Sequence, residues 1–239
     1  NFKNQKSKIK NNFILIHGNY ADLPEILKEK KLGKADGLLL DLGFSSAQLE
    51  KSGKGFSFLK DEPLLMTYDR NKKPVKEILR EISEEELARI IREFGEERFA
   101  KRISRAIAAQ GKIKPIESSG ELSNIVKNAV PKNYERGRIH PATRTFQALR
   151  IYANDELENL EKILKALPII LKPRGRAVII NFHSLEDRLV KNYMRRMAKE
   201  NILKILAPKP IRPSPEEIKI NPRSRSAKLR ATIFMEHES

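Results

Sequence analysis

Cysteine and tryptophan are absent from this chain, and of its 239 residues only 6% are aromatic and four are histidine. Without cysteine, neither a disulfide framework nor a thiolate zinc site can form. The four histidines, His17, His140, His183 and His237, are too scattered for a His-only site, so no metal is expected. Long apolar runs are also missing: none approaches the ~20 residues that a membrane span needs. Residues 1–12 are polar and basic and lack the apolar stretch of a signal peptide. A cytoplasmic protein with no membrane partner is the expectation.

Negative charge is scarce too. Asp and Glu number 31 against 48 Lys and Arg, a formal +17. A chain rich in surface ion pairs raises both signs together, so an excess of this size calls for a polyanionic partner, with nucleic acid foremost.

Two apolar runs near the start read as strands of a parallel pair: Phe13-Ile14-Leu15-Ile16-His17-Gly18, expected to be buried, and residues 35–43, with an amphipathic helix around 23–30 between them. From 83 to about 167 the pattern turns helical. Ser83 with Glu86 and Ser118 with Glu121 have capping-box spacing, and one helix is expected to run through Phe146, Leu149, Ala153, Leu157, Leu160 and Leu164. Residues 171–176 read as a turn and 177–182 as a third buried strand, followed by a helix after Ser184. Residues 202–206 and 229–235, on either side of a Pro-rich loop, are expected to pair as an antiparallel edge. Parallel strands need helices on both faces, so the pattern predicts an open, mostly parallel α/β sheet with an inserted all-α subdomain. The expected boundaries are 1–65 and 168–239 for the sheet core and 66–167 for the insertion.

Ligands of open α/β sheets bind beyond the carboxyl ends of the strands. That singles out Asn19 and Tyr20, the stretch Asp41 to Ser46, and Asn181 to Ser184. Asp41 is the most informative, because a carboxylate ending an apolar strand has no packing role that Leu would not fill better; the alternative is a loop or helix cap. His183 fits a base or a phosphate contact equally with a hydrogen-bonding strand end. Tyr20 suits stacking on a flat heterocycle or closing the core edge. Phe44, Phe56 and Phe58 suit a base, with packing as the safer default. Arg136, Arg138, Arg144, Arg150, Arg223, Arg225, Lys228 and Arg230 are spaced like phosphate contacts, although a solvated face suits about half of them. No Gly-rich loop of the kind that cradles a nucleotide follows any of these strands.

The stretch Asp41-Leu42-Gly43-Phe44-Ser45-Ser46-Ala47-Gln48, within residues 36–49, together with residues 55–58, 94–97, 140–151, 182–188 and 221–226, resembles the bacterial ribosomal RNA cytosine-N4 methyltransferases of the RsmH (MraW) type. The resemblance runs over essentially the whole chain. It implies a Rossmann-like core with an inserted helical domain, S-adenosylmethionine as cofactor, and methylation of a cytidine in the decoding region of 16S rRNA. It carries cofactor contacts onto Tyr20, Asp41 and Gln48. It also implies that the family's Gly-rich first turn, and the acidic residue that holds the cofactor ribose, lie upstream of the residues given.

Cytosine N4 is a poor nucleophile because its lone pair is delocalised into the ring. Asp41 or the Leu42 carbonyl is the expected acceptor for the amino group, with His183 a further catalytic candidate. Arg144, Arg150, Arg223, Arg225, Lys228 and Arg230 are the expected RNA contacts, and the small ribosomal subunit the partner. A non-catalytic RNA- or ribosome-binding module is the alternative. Monomer and homodimer are equally compatible with the sequence.

Overall fold

The computed structural model describes residues 13–43, 53–134 and 139–236. The elements in chain order begin with a 3-10 turn (Tyr20–Asp22), α1 (Leu23–Glu29) and β1 (Ala35–Asp41). Five helices follow: α2 (Val75–Glu81), α3 (Glu84–Gly95), α4 (Ala100–Ile113), α5 (Ser119–Ala129) and α6 (Thr143–Asn154). The chain then runs through α7 (Glu156–Ile170), β2 (Leu171–Asn181), α8 (Ser184–Lys199), β3 (Leu203–Ile205), α9 (Pro215–Ile220), a second 3-10 turn (Pro222–Ser226) and β4 (Lys228–Phe234).

The four strands form one open sheet in the order β1-β2-β4-β3. β1 and β2 are parallel and bring Asp41 opposite Ile180. β2 and β4 are antiparallel, with Asn181 opposite Lys228, and β3 pairs antiparallel with β4 as the expected edge. The expected turn at 171–176 is a bulge in the β1/β2 ladder: Ala35 pairs with Leu171 but Gly37 with Arg176, and Arg174 takes a positive φ of 63°.

Among the described residues, two apolar clusters form the core. One is helical, with Leu64, Met66, Leu87, Ile91, Ile103, Leu122, Val126, Phe146 and Leu149 among its buried members. The other packs α7 and α8 on the sheet through Leu160, Ile163, Leu167, Ile179, Val190, Met194 and Leu203. The changeover falls between Ala153 and Leu160, and Phe56 and Leu64 belong to the helical cluster.

Capping starts the helices as their chemistry requires. Ser118 and Glu121 form the complete box on α5, whereas Ser83 accepts from the Glu86 N–H on α3. The single helix expected through 146–164 is broken: Asp155 adopts the left-handed conformation (φ 51°, ψ 39°) between α6 and α7. Asp tolerates that region better than most residues, and the break turns α7 onto the sheet.

The run 13–17 is not a buried strand. It makes no ladder among the described residues, and Phe13, Ile14, Leu15 and Ile16 are 63%, 53%, 81% and 44% exposed. A strand is buried only by a paired edge and a facing layer, and the described residues supply it with neither. β1 shares this condition. Leu40 is buried against the helices, while Leu39 on the opposite face is 67% exposed, so among the described residues the cover expected on both faces of a parallel strand is present on one.

Candidate functional site

The carboxyl ends of β1 and β2 lie side by side, because the Leu42 N–H continues the ladder to the Ile180 carbonyl. Asp41 is exposed there, and its Oδ1 accepts the Gly43 N–H at 2.8 Å. A Cβ at Gly43 would lie 2.8 Å from both Asp41 Oδ1 and the Phe182 ring. Glycine therefore lets the chain leave β1 beneath Phe182 while Asp41 keeps its orientation. Asn181, fully buried, donates to the Lys228 carbonyl at 3.3 Å, and its Oδ1 has no partner among the described residues.

His183 starts α8 rather than standing free. Its Nδ1 accepts the Glu186 N–H at 3.4 Å, and Glu186 Oε2 accepts the Phe182 and His183 N–H groups at 2.8 and 3.2 Å. This is a capping box with histidine in place of Ser or Thr. His183 Nε2 lies 3.1 Å from Glu186 Oε1 but off the hydrogen-bonding direction. Burial opposes the charge of Glu186. The imidazole beside it and the Phe182 N–H outweigh that cost and hold its carboxyl below the usual range. His183 thus makes the hydrogen bonds of a strand end that opens a helix.

Tyr20 is half-buried against the sheet cluster, and its hydroxyl donates to the Glu156 carbonyl at 3.4 Å. Burial, with the charges of Glu156 and Glu186, raises that hydroxyl well above the usual tyrosine range. Gln48 and Phe44 lie outside the described residues, as do Arg136 and Arg138. Phe56 is buried and stacks on Tyr68 at 5.3 Å; Phe58 stacks on His140 at 4.3 Å. Both serve packing.

The six basic candidates separate. Arg223 and Arg225 are exposed on the 3-10 turn, and Arg144 reaches the Glu96 carbonyl at 3.4 Å. Arg150 instead grips Glu156 through Nε at 2.8 Å and Nη2 at 2.9 Å, with side chains 18% and 13% exposed. Arg230 and Lys228 are drawn to Asp187 at 2.7 and 3.3 Å. A phosphate contact from any of these three would require a partly buried pair to be broken.

Sequence reasoning missed the seam that these pairs build. Glu156 also accepts the Tyr68 hydroxyl at 2.7 Å. Asn154, 3% exposed, accepts the Tyr68 N–H and donates to the Met66 and Arg150 carbonyls, each at 2.8 Å. Glu96, which ends α3 in the left-handed conformation, meets Arg188 at 2.6 Å and Ser184. The Ser184 and Arg188 bonds lower its pKa. Asn154-Asp155 was the available signal, since Asn and Asp favour a helix break.

Among the described residues, no group of His, Asp and Glu is arranged to hold a metal ion, and no helix is long and apolar enough to cross a membrane. Residues 2–235 match the model of the MraW methylase family. The chain is 47% identical over 232 residues to the ribosomal RNA small subunit methyltransferase H of Syntrophus aciditrophicus, covering 90% of this chain and 74% of that protein. It is 47% identical over 220 residues to the protein of the same name from Coprothermobacter proteolyticus, covering 92% and 73%. To the one from Clostridioides difficile it is 41% identical over 244 residues, covering 95% and 78%.

Proposed function

The chain belongs to the MraW methylase family, and on that footing we propose that it methylates N4 of a cytidine in the decoding region of 16S rRNA, using S-adenosylmethionine, in the cytoplasm. The name shared by its relatives, ribosomal RNA small subunit methyltransferase H, supports RNA of the small subunit as substrate. The observation that carries the chemistry is the exposed Asp41 carboxylate, fixed by Gly43 at the end of a parallel strand.

The donor set fits the cofactor's reactive end: an exposed carboxylate suits a cationic sulfonium or ammonium group. Asp41, the half-buried Tyr20 ring and Gln48 would hold it. When bound, S-adenosylmethionine supplies an electrophilic methyl group. Asp41 accepts an N–H of the cytosine amino group, returns electron density to N4 and provides an acceptor for the proton that N4 sheds. Arg144, Arg223 and Arg225 hold the RNA backbone beside the site, with the helical cluster as the substrate-binding unit.

Replacing Asp41 with Asn should lower turnover by about 10²–10⁴-fold, with RNA affinity retained in an anisotropy titration. Full turnover in that variant excludes the role. The +17 charge also suits a non-catalytic RNA-binding module; calorimetric titration separates the readings, because such a module gives no heat with S-adenosylmethionine.

A further inference from the structure

Helix α8 carries its charge in an unusual way. Its inner face, Val190, Tyr193, Met194 and Met197, is buried on the sheet. Arg188, Lys191, Arg195 and Lys199, spaced at i, i+3, i+7 and i+11, fall on the opposite stripe. No acidic residue stands between Asp187 and Glu200. Arg188, nearest the candidate site, is paired with Glu96. Lys191, Arg195, Arg196 and Lys199 form no ion pair among the described residues. On α3, by contrast, Arg89 is held between Glu86 and Glu93.

The far end of α8 opens into a groove of about 750 Å³ lined by Asn192, Arg195, Arg196, Ala198, Lys199 and Ile205. Arg196 lies over the Tyr193 ring, 5.9 Å from its centroid, so its guanidinium is positioned by an aromatic face rather than by an acid. Attraction to the helix dipole accounts for cations in the last turn, Arg196 and Lys199. It does not account for Lys191 or Arg195. A row of uncompensated cations ending in a groove with two adjacent guanidinium groups has the chemistry of a phosphate-backbone contact.

We propose that the outer face of α8 from Lys191 to Lys199, with the groove against β3, is a second RNA-binding surface that takes phosphates of the substrate RNA away from the target base. This rests on the proposed RNA substrate and adds where that RNA runs. α8 begins at the carboxyl end of β2, and its 16 residues extend ~24 Å at 1.5 Å per residue. The RNA therefore follows the helix from the strand-end site towards the opposite end of the sheet.

The test is fluorescence anisotropy of the full chain with a labelled, unmodified small-subunit rRNA fragment across a KCl series. It compares the parent with Arg195→Gln/Lys199→Gln, Arg195→Lys/Lys199→Arg and Arg223→Gln/Arg225→Gln. Loss of two phosphate contacts should weaken binding about tenfold and flatten the slope of log K against log[KCl] by ~1.4–1.8. The charge-preserving variant should behave like the parent, and S-adenosylmethionine binding should be unchanged in all three. An unchanged slope in the α8 glutamine variant, with binding lost in the Arg223/Arg225 variant, overturns the second surface and leaves the RNA substrate standing. No RNA binding by the parent overturns both. If the glutamine variant loses only assembled small subunits and not naked RNA, the groove faces an acidic protein and the proposal is wrong.

Discussion

The helical cluster and the sheet cluster are closed to different degrees, and the candidate site lies where they meet. Leu64, Leu87, Ile91, Ile103, Leu122 and Leu149 of the first are each at most 2% exposed, within a cluster built on α2 to α6 and the segments between them. The second is buried between α7, α8 and the sheet, yet Leu39 on its β1 edge is exposed, as is the run 13–16 ahead of α1. A sealed helical unit thus sits beside a sheet whose outer strand, among the described residues, is covered on one side. The seam joining them is polar, made by Arg150–Glu156 with Tyr20, Tyr68 and Asn154, and by Glu96 with Arg188. Polar contacts with satisfied partners set one geometry at such a seam, where apolar packing would allow sliding.

The contrast is sharpest for apolar truncations. Leu122→Ala, in the sealed cluster, should destabilise the protein by about 2–5 kcal/mol, whereas Leu39→Ala should stay within ~0.5 kcal/mol. Urea unfolding measures both, and equal losses would mean that β1 is covered in solution. Next is the seam: Glu156→Gln leaves the Arg150 charge partly buried without its partner and should cost about 2–3 kcal/mol, below a fully buried pair because both groups keep some exposure.

Several elements on both sides of this contrast were readable beforehand, though the contrast itself was not. The capping serines, the first described strand and the antiparallel edge follow from local spacing: β1 stops at Asp41, two residues short of the expected run, and the paired edge strands lie within one residue of theirs. The exposure of 13–17 was not readable, because period and apolarity report what a segment can bury, not whether a partner lies beside it. The inward turn of Arg150, Lys228 and Arg230 was hidden for the same reason: their acids, Glu156 and Asp187, reach them only through the α6/α7 break and the β2/β4 pairing. His183 was legible as functional or structural, but its capping role depends on Glu186 folding back to the Phe182 N–H.

A smaller loss than at the seam is expected at Asp187. Burial opposes its charge, and Arg230 and Lys228 outweigh that cost and lower its pKa. A carboxyl depressed in the folded state stabilises it above the ordinary aspartate pKa of ~3.9 and loses that contribution as pH falls through the folded value. Asp187→Asn should therefore cost about 1–2 kcal/mol at neutral pH, with the gap to the parent narrowing as pH falls below that ordinary value. Thermal unfolding across an acid pH series checks it; a constant gap would show that the carboxylate charge is irrelevant.

The most direct measurement is mass spectrometry, of nucleosides and of ribonuclease fragments, on unmodified small-subunit rRNA after incubation with the protein and S-adenosylmethionine. N4-methylcytidine at a single decoding-region position, absent with Asp41→Asn, is the predicted result. A methyl group on another atom, or equal product from the variant, would contradict the assignment of the strand-end site.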